Sequence, residues 1–289
     1  MAANEIETLR FLTPRTARRV AAAHGTPSYV YDLRTLEANA RAALAFPAAF
    51  GVTVRYAMKA APNAALLCAL DGLGLGFDAS SAHEVRRAIR AGVAPWAISL
   101  STQQLEPAPL QRFLAAGVQV NACSLAQLRA VCEACRSGAV PAAYCVVGLR
   151  FNPGVGSGSS AKTNVGGRAS SFGIWHELLE EAAQIAAAAH VAIVRVHTHI
   201  GSGSDPQVWQ RVSELSLALC ERLPSVNTLN LGGGFKVGRM ASVESTDLQR
   251  VGAPVKAAFE QFAAKSGREL RLEIEVLVCC AVCVHLCCC

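Results

Sequence analysis

Strand-like runs alternate with helix-like runs along almost the whole 289-residue chain. Segments with apolar residues at helical spacing separate most of eight short apolar runs that have the length of buried strands. Alternating β and α units predict a parallel sheet, and eight of them predict a closed (β/α)8 barrel of the TIM type. The predicted strands are Val52–Lys59, Leu75–Asp78, Trp96–Leu100, Val118–Asn121, Ala143–Phe151, Ala192–His199, Thr228–Leu231 and Leu270–Glu275.

A doubly wound open sheet would show the same alternation. Such a sheet more often has a Gly-rich turn after its first strand. Here the first predicted barrel strand is followed by Ala60-Ala-Pro-Asn63 instead. Hydrophobic residues make up 52% of the chain, which is enough to fill a large core. We therefore predict an α/β protein with a closed barrel.

Three further segments are predicted around the barrel. Ser28–Asp32 has the pattern of a short extra strand, and Leu33–Ala45 has that of the helix after it. Asn152–Ser171 is rich in Gly and Ser, which predicts a mobile loop after the fifth barrel strand. Loops at that end of a barrel strand are where barrel enzymes carry their chemistry.

Composition excludes two classes of partner. The net charge is only +6, the basic residues are scattered and aromatic residues make up 6%, so we expect no nucleic-acid partner. No run approaches the roughly 18 apolar residues of a membrane span, so we expect no membrane partner. Met1–Arg10 has no apolar core of a signal peptide and contains Glu5 and Glu7. We expect a cytoplasmic protein, or a plastid protein if the source is photosynthetic and the N-terminus is incomplete.

Lys59 and a run of three glycines are the first candidate site residues. Lys59 ends the first predicted barrel strand, and the C-terminal ends of barrel strands face the active site. A lysine partly withdrawn from water there can form a Schiff base, whereas a solvated loop lysine is the alternative. Gly232, Gly233 and Gly234 follow the seventh strand, where backbone amides can bind a phosphate. A plain tight turn is the alternative.

Histidine and glutamate pairs occupy the ends of two later strands. Alternation places His197 and His199 on one face of the sixth strand and Glu273 and Glu275 on one face of the eighth. We predict no metal site, because no third ligand has convincing spacing. A ring that stacks on a planar cofactor fits His199, and a core histidine fits His197. A buried glutamate needs a partner, either a cofactor nitrogen or an arginine such as Arg150.

The cysteines are unevenly distributed. The chain has 12, and the tail Val276–Cys289 contains Cys279, Cys280, Cys283, Cys287, Cys288 and Cys289. We interpret this tail as aberrant, with a palmitoylated or metal-binding segment as the alternatives. Cys132 and Cys135 form a Cys-x-x-Cys pair inside a helical run, which indicates a chance helix pattern.

The motifs together resemble the fold-type III pyridoxal-phosphate-dependent decarboxylases, which include the diaminopimelate, ornithine and arginine decarboxylases and are related to alanine racemase. Six ordered motifs carry the resemblance, over residues of about 25 to 275. They are Tyr56-Ala-Met-Lys-Ala-Ala-Pro-Asn63, Gly76-Phe-Asp-Ala-Ser-Ser-Ala-His-Glu84, Leu149-Arg-Phe-Asn-Pro-Gly154, Ser171-Phe-Gly-Ile174, His197-Thr-His-Ile-Gly-Ser-Gly203 and Leu231-Gly-Gly-Gly-Phe235.

The resemblance implies a cofactor, pyridoxal 5'-phosphate, and a role for each matching residue. Lys59 would bind it covalently, His199 would stack on its ring and Glu275 would pair with its ring nitrogen. The phosphate would be held by Gly232, Gly233, Gly234 and Ser202. Asp78, Glu84 and Arg150 would form the supporting polar shell.

The resemblance also implies a domain organisation. We expect an N-terminal extension at 1–26, the cofactor-binding barrel at 27–275 and the Cys-rich tail at 276–289. The family continues into a C-terminal β-domain, which is missing here, and forms homodimers. We therefore expect this polypeptide alone to be poorly soluble and inactive.

The expected family reaction is decarboxylation of a basic or diamino amino acid. The Asn-Pro-Gly after the fifth strand and the run from His199 to Pro206 favour meso-diaminopimelate as substrate and lysine as product. Ornithine or arginine is the alternative. A truncated homologue that binds only cofactor or a partner subunit is the second hypothesis.

Overall fold

The computed structural model describes residues 11–155, 167, 170–199, 201, 204–238, 244–277 and 283–286. Eight parallel strands form a ring in its centre, and the pairings between the fourth and fifth and between the last and first of them close it. This confirms the (β/α)8 barrel. The barrel strands are β2 (Val52–Ala57), β3 (Gly76–Ala79), β4 (Ile98–Ser101), β5 (Gln119–Ala122), β6 (Val146–Asn152), β8 (Ala192–Thr198), β9 (Thr228–Asn230) and β10 (Arg271–Val276).

Helices surround the ring and connect its strands. Their first turns begin at polar caps: Asp32, Ser81 and Asp247 each accept a backbone N–H of the helix that follows. Among the described residues, no helix has the length and apolar character that crossing a bilayer requires. The helices are α1 (Pro14–His24), α2 (Leu33–Leu44), α3 (Ala64–Gly72), α4 (Ala82–Arg90), α5 (Pro107–Ala115), α6 (Leu125–Arg136), α7 (Leu179–Ala188), α8 (Pro206–Glu221) and α9 (Leu248–Ser266).

The predicted strands are all present, with ends that shift by a few residues. The first ends at Ala57, and Lys59 lies in a short 3-10 turn, Met58–Ala60, rather than in the strand itself. The fifth begins at Val146, because residues 142–144 form another 3-10 turn. A two-residue strand, β7 (Ile174–Trp175), pairs with the end of β6 and was not predicted. Most of the predicted loop Asn152–Ser171 lies outside the described residues.

A two-stranded ribbon lies outside the barrel. The predicted extra strand is present as β1 (Ser28–Tyr31), and it pairs antiparallel with β11 (Cys283–Leu286). One edge of β1 is therefore paired within the 289-residue chain itself, and the tail that the sequence analysis interpreted as aberrant supplies the partner strand. The tail is rich in valine as well as cysteine, and valine favours extended backbone, which the cysteine-based interpretation overlooked.

A buried charge cluster fills the barrel interior at the level of Glu273. Glu273 accepts two hydrogen bonds from Arg55, at 2.9 and 2.7 Å, and its Oε2 lies 3.1 Å from Arg195 Nε. Gln119 accepts from both arginines. Burial alone would raise the pKa of Glu273, but the two arginines outweigh it and hold that pKa below its ordinary value. The arginines that pair with Glu273 are thus Arg55 and Arg195, and not the predicted Arg150.

Candidate active site

A cavity of about 460 Å³ opens at the carboxyl ends of the barrel strands. Most of the titratable groups that the sequence singled out lie on its wall, together with neighbours from the loops after β4 and β6. Since this mouth is where barrel enzymes carry their chemistry, we treat it as the candidate site. Its lining residues are Lys59, Asp78, Ser80, Ser101, Thr102, Gln103, Gln104, Arg150, Phe172, His197, His199 and Glu275.

Lys59 reaches the cavity from the turn after β2. The preceding Met58 is fully buried, whereas Lys59 is exposed. Its position at the end of a strand predicted that Lys59 is partly withdrawn from water, and this prediction is wrong. Tyr56 fixes the turn, because its hydroxyl donates a 3.1 Å hydrogen bond to the carbonyl of Ala61. The amine is consequently accessible to a ligand in the cavity.

Glu275 lies near the end of β10 and is 6% exposed. Its Oε1 accepts a 3.2 Å hydrogen bond from Asn230 Nδ2. Burial raises the pKa of Glu275, and the nearby positive charges of Lys59 and Arg150 act in the opposite direction. A cationic partner in the cavity would favour the ionised carboxylate further.

Asp78 is a second buried carboxyl on the cavity wall. It lies on β3, is 6% exposed, and its Oδ1 has no hydrogen-bond partner within the part of the chain that the structure describes. Burial and the charge of Glu275 raise the pKa of Asp78 well above its ordinary value, although Lys59 lowers it. An unpartnered buried oxygen of this kind is available to a polar ligand.

His199 is held by the glycine turn. Its Nδ1 accepts a 3.0 Å hydrogen bond from the Gly233 N–H, so the ring proton is on Nε2. Burial, and then the charges of Arg150 and Lys59, lower the pKa of His199 to about 3, and the ring is neutral. The Gly232 N–H donates to Asn230 Oδ1 at 2.7 Å. Two of the three amides predicted to face an anion are thus engaged within the protein.

Arg150 and Phe172 form one side of the cavity mouth. The Arg150 guanidinium lies over the Phe172 ring, 5.1 Å from its centroid. Asn152 ties the intervening loop back to β6: its Oδ1 accepts from the Gly154 and Gly167 amides at 3.1 and 3.0 Å. The loop that carries Phe172 is thereby held next to the Arg150 guanidinium at the cavity mouth.

Of two further residues that were predicted for the site, one does not line the cavity and the other is not among the residues that the structure describes. Glu84 is not on the cavity wall: its Oε2 accepts the Ser80 amide at 2.6 Å, while its own amide donates to Ser81 Oγ. These bonds resemble a capping box at the start of α4, except that Glu84 accepts from Ser80, the residue before the N-cap Ser81; the Ser81-x-x-Glu84 spacing could have indicated them. Ser202 lies outside the described residues.

His197 and His199 share one end of the barrel, as alternation predicted. Both line the cavity, but the described residues contain no group of three His, Cys, Asp or Glu side chains that could hold a metal ion. Sequence reasoning missed Asn230, Ser101 and Phe172. A polar residue inside an otherwise apolar strand was the available signal for Asn230 and Ser101.

Gly233→Ala should destabilise the protein. A Cβ at Gly233 would overlap the backbone carbonyl oxygen of Glu275, and backbone cannot rotate away as a side chain can. We expect a loss of about 1–3 kcal/mol in the free energy of unfolding, measured by urea denaturation. Gly72→Ala is the matched control, since a Cβ at this position in α3 would meet no atom within 4 Å. Equal stability of the Gly233 variant and the wild type would contradict the close approach.

The chain matches known proteins over most of its length. Residues 34–276 match the family model described as pyridoxal-dependent decarboxylase, pyridoxal binding domain. The chain is 33% identical over 267 residues to a diaminopimelate decarboxylase of Streptomyces coelicolor, a match that covers 91% of this chain and 58% of that protein. It is 32% identical to a diaminopimelate decarboxylase of Escherichia coli, with 91% and 61% covered.

Solved structures agree with the fold. A crystal structure of diaminopimelate decarboxylase superposes with a TM-score of 0.80 at 30% identity, covering 91% of this chain and 61% of that one. The diaminopimelate decarboxylase from m. jannaschii, in co-complex with L-lysine, gives a TM-score of 0.82 at 21% identity, covering 93% and 65%, and supports the fold alone. The chain spans about three fifths of the length of these relatives.

Proposed function

This chain belongs to the pyridoxal-dependent decarboxylase family, and from that premise we propose that it serves the decarboxylation of meso-diaminopimelate to lysine. The observation that carries the proposal is the cavity at the barrel mouth. It brings together Lys59 from the turn after β2, Asp78 from β3 and Glu275 from β10, beside Arg150 and His199. The similarity to two diaminopimelate decarboxylases at 33% and 32% identity supports the choice of substrate.

The cavity residues fit pyridoxal phosphate. An accessible amine is present at Lys59, and a buried polar atom without a hydrogen-bond partner in the described part of the chain is present at Asp78 Oδ1. Gly232 and Gly233 pack directly against His199 and Glu275, two of the residues that line the cavity, since a Cβ at either glycine would overlap them. These features are what a planar, anionic and partly polar ligand requires.

Lys59, His199 and Glu275 are the three residues that we propose to act on the cofactor ring. Lys59 would hold it through the amine, His199 would stack on it and Glu275 would face its nitrogen. The phosphate would be held by Gly232, Gly233, Gly234 and Ser202. Asp78 and Arg150 would support the site from the cavity wall, and Glu84 would support it through the Ser80 amide.

The chain's own residues prepare the site electrostatically. When bound, pyridoxal phosphate supplies an electron-accepting ring that stabilises the charge left by departing carbon dioxide. Burial raises the pKa of Glu275, and the charges of Lys59 and Arg150 counteract part of that rise in favour of the carboxylate. His199 stays neutral, so it adds no positive charge beside the ring. The Arg150 guanidinium, which lies over the Phe172 ring, adds a fixed positive charge to the cavity wall.

A substrate panel tests the proposed reaction. All activity assays use a form extended by the family's C-terminal β-domain, since the 289-residue polypeptide alone is expected to be inactive. Purified and loaded with pyridoxal phosphate, that form should release carbon dioxide from meso-diaminopimelate faster than from ornithine or arginine, measured with carboxyl-labelled substrates. Faster release from ornithine or arginine would identify the other decarboxylase type. Bound cofactor with no release from any substrate would support a homologue that binds cofactor without catalysis.

The domain limits, assembly and compartment are part of the proposal. The family match over 34–276 supports a cofactor-binding unit at 27–275, flanked by the extension 1–26 and the tail 276–289. The similarity to two diaminopimelate decarboxylases supports a small amino-acid substrate. We also propose a homodimer, which sedimentation would test, and a cytoplasmic or plastid location.

A further inference from the structure

His197 is a buried titratable side chain to which the proposed function gives no role. It lies on β8 and is 2% exposed. Its Nδ1 is 3.3 Å from Ser101 Oγ, and its Nε2 is 3.2 Å from Glu275 Oε1. The imidazole thus bridges the interior of the barrel and the carboxylate on the cavity wall.

The hydrogen bonds that Asn121 and Ser101 make next to His197 bear on which of its two ring nitrogens carries the proton. Asn121 Nδ2 donates to Ser99 Oγ and to Ser101 Oγ, each at 2.9 Å. Ser101 Oγ therefore already accepts a hydrogen, and its single hydroxyl hydrogen can point to His197 Nδ1. A serine oxygen can also accept two hydrogens, but the Glu275 carboxylate oxygen 3.2 Å from Nε2 favours a proton on that nitrogen, and we therefore assign the proton of a neutral His197 to Nε2.

The surroundings keep this imidazole neutral. Burial lowers the pKa of His197 well below its ordinary value, and the positive charges of Arg150, His199 when protonated, Arg195 and Lys59 act in the same direction. The ionised form is therefore disfavoured inside the barrel. A neutral ring with its proton on Nε2 can offer that proton to Glu275.

Asn230 contacts the same carboxylate oxygen, Glu275 Oε1. Its Oδ1 accepts the Gly232 amide at 2.7 Å, which fixes the orientation of its amide group, and its Nδ2 donates to Glu275 Oε1. His197 Nε2 lies at hydrogen-bond distance from that oxygen, but its N–H is not aligned well enough for a hydrogen bond in this structure. Two donor nitrogens, Asn230 Nδ2 and His197 Nε2, therefore lie within hydrogen-bond distance of Glu275 Oε1.

Space for this polar chain depends on a glycine. A Cβ at Gly148 would overlap Asn121 Oδ1, so only glycine on β6 leaves room for the Asn121 side chain. Asn121 in turn is 1% exposed and lies between the two serines. The barrel thus holds a row of polar groups, hydrogen-bonded from Asn121 through Ser101 to His197, whose Nε2 then lies 3.2 Å from Glu275 Oε1.

We propose that His197 is a positioning residue, which presents an Nε2–H to Glu275 Oε1 and, together with Asn230, leaves Oε2 for the cofactor. This inference rests on the proposed function, because Glu275 is the residue that it positions. A carboxylate held at one oxygen by two donors has less freedom to rotate, so its second oxygen is preorganised.

The protonation state is tested in the cofactor-free protein. In ¹⁵N-histidine-labelled protein, the signals absent from the His197→Gln spectrum belong to His197. We expect one protonated nitrogen, Nε2, and one unprotonated nitrogen, Nδ1. Ser101→Ala should shift the Nδ1 signal. A proton on Nδ1, or on both nitrogens, would overturn the inference whether or not the protein is a decarboxylase.

The positioning role is tested with two substitutions of His197. Phenylalanine keeps a ring and loses both nitrogens, whereas glutamine keeps an N–H donor. We expect His197→Phe to weaken pyridoxal phosphate affinity and to lower kcat by about 10- to 100-fold, with a smaller change in KM. His197→Gln should recover most of both losses, and urea unfolding should show that both variants fold.

Three outcomes separate the explanations. Equal losses in the two variants would assign His197 a merely structural role and overturn the inference. Wild-type affinity in His197→Phe would do the same. A wild type that binds no pyridoxal phosphate on Lys59 would contradict the proposed function, while the nitrogen signals would still report on His197.

Discussion

Lys59→Ala is expected to abolish covalent attachment of pyridoxal phosphate. In wild-type protein, borohydride reduction should fix the cofactor on Lys59, and trypsin should then fail to cleave there. The modified peptide should run from Tyr56 to Arg86, because the neighbouring tryptic sites follow Arg55 and Arg86. The variant should give no such peptide, and decarboxylation should fall by at least about a thousandfold, equivalent to about 4 kcal/mol.

Lys59→Arg separates nucleophilicity from charge. It keeps a positive charge near Asp78 and Glu275, but a guanidinium remains protonated and is not a nucleophile. We expect the same loss of the covalent adduct as in Lys59→Ala. Lys256→Ala is the control, since Lys256 is exposed on the surface of α9, where its Nζ lies 3.8 Å from Glu260 Oε1. An adduct on any other lysine would refute the assignment.

Glu275→Gln should have the second largest effect. The substitution keeps the shape of the side chain and removes the negative charge that would hold a ring nitrogen protonated. If the carboxylate provides about 4 kcal/mol of transition-state stabilisation, kcat should fall roughly a thousandfold. Cofactor affinity should fall less, because the Lys59 amine and the glycine turn are unchanged.

The measurement must distinguish catalysis from folding. Carbon dioxide release is compared with cofactor content and with the free energy of unfolding for the same preparation. Glu180→Gln is a matched control, because Glu180 is exposed and pairs only with Arg222 among the described residues. A Glu275 variant with wild-type kcat would mean that another residue faces the ring nitrogen.

The sequence predicts the barrel because the relevant information is local. Each parallel strand is buried on both faces and is therefore a short apolar run between helical segments. That pattern located all eight strands and the helix that begins at Leu33. It also placed Lys59, His199 and Glu275 at one end of the ring, where the structure has them together.

The sequence could not predict contacts across the ring. Arg55 and Glu273 pair inside the barrel although they are 218 residues apart in the sequence, and no local pattern links them. Arg150 was an equally reasonable partner for a glutamate, until the structure put it over Phe172. The hydrogen bonds of Asn230 depend in the same way on residues from two other segments.

Ring closure has a consequence for how the site forms during folding. Lys59 follows the first barrel strand and Glu275 is on the last, and these strands pair directly, with Arg55 beside Glu275. The pairing of the first and last barrel strands therefore joins residues that are far apart in the sequence. The loop-closure entropy that this pairing costs is lost late in folding. We expect that a nascent chain cannot bind cofactor in native fashion until residue 276 has emerged from the ribosome.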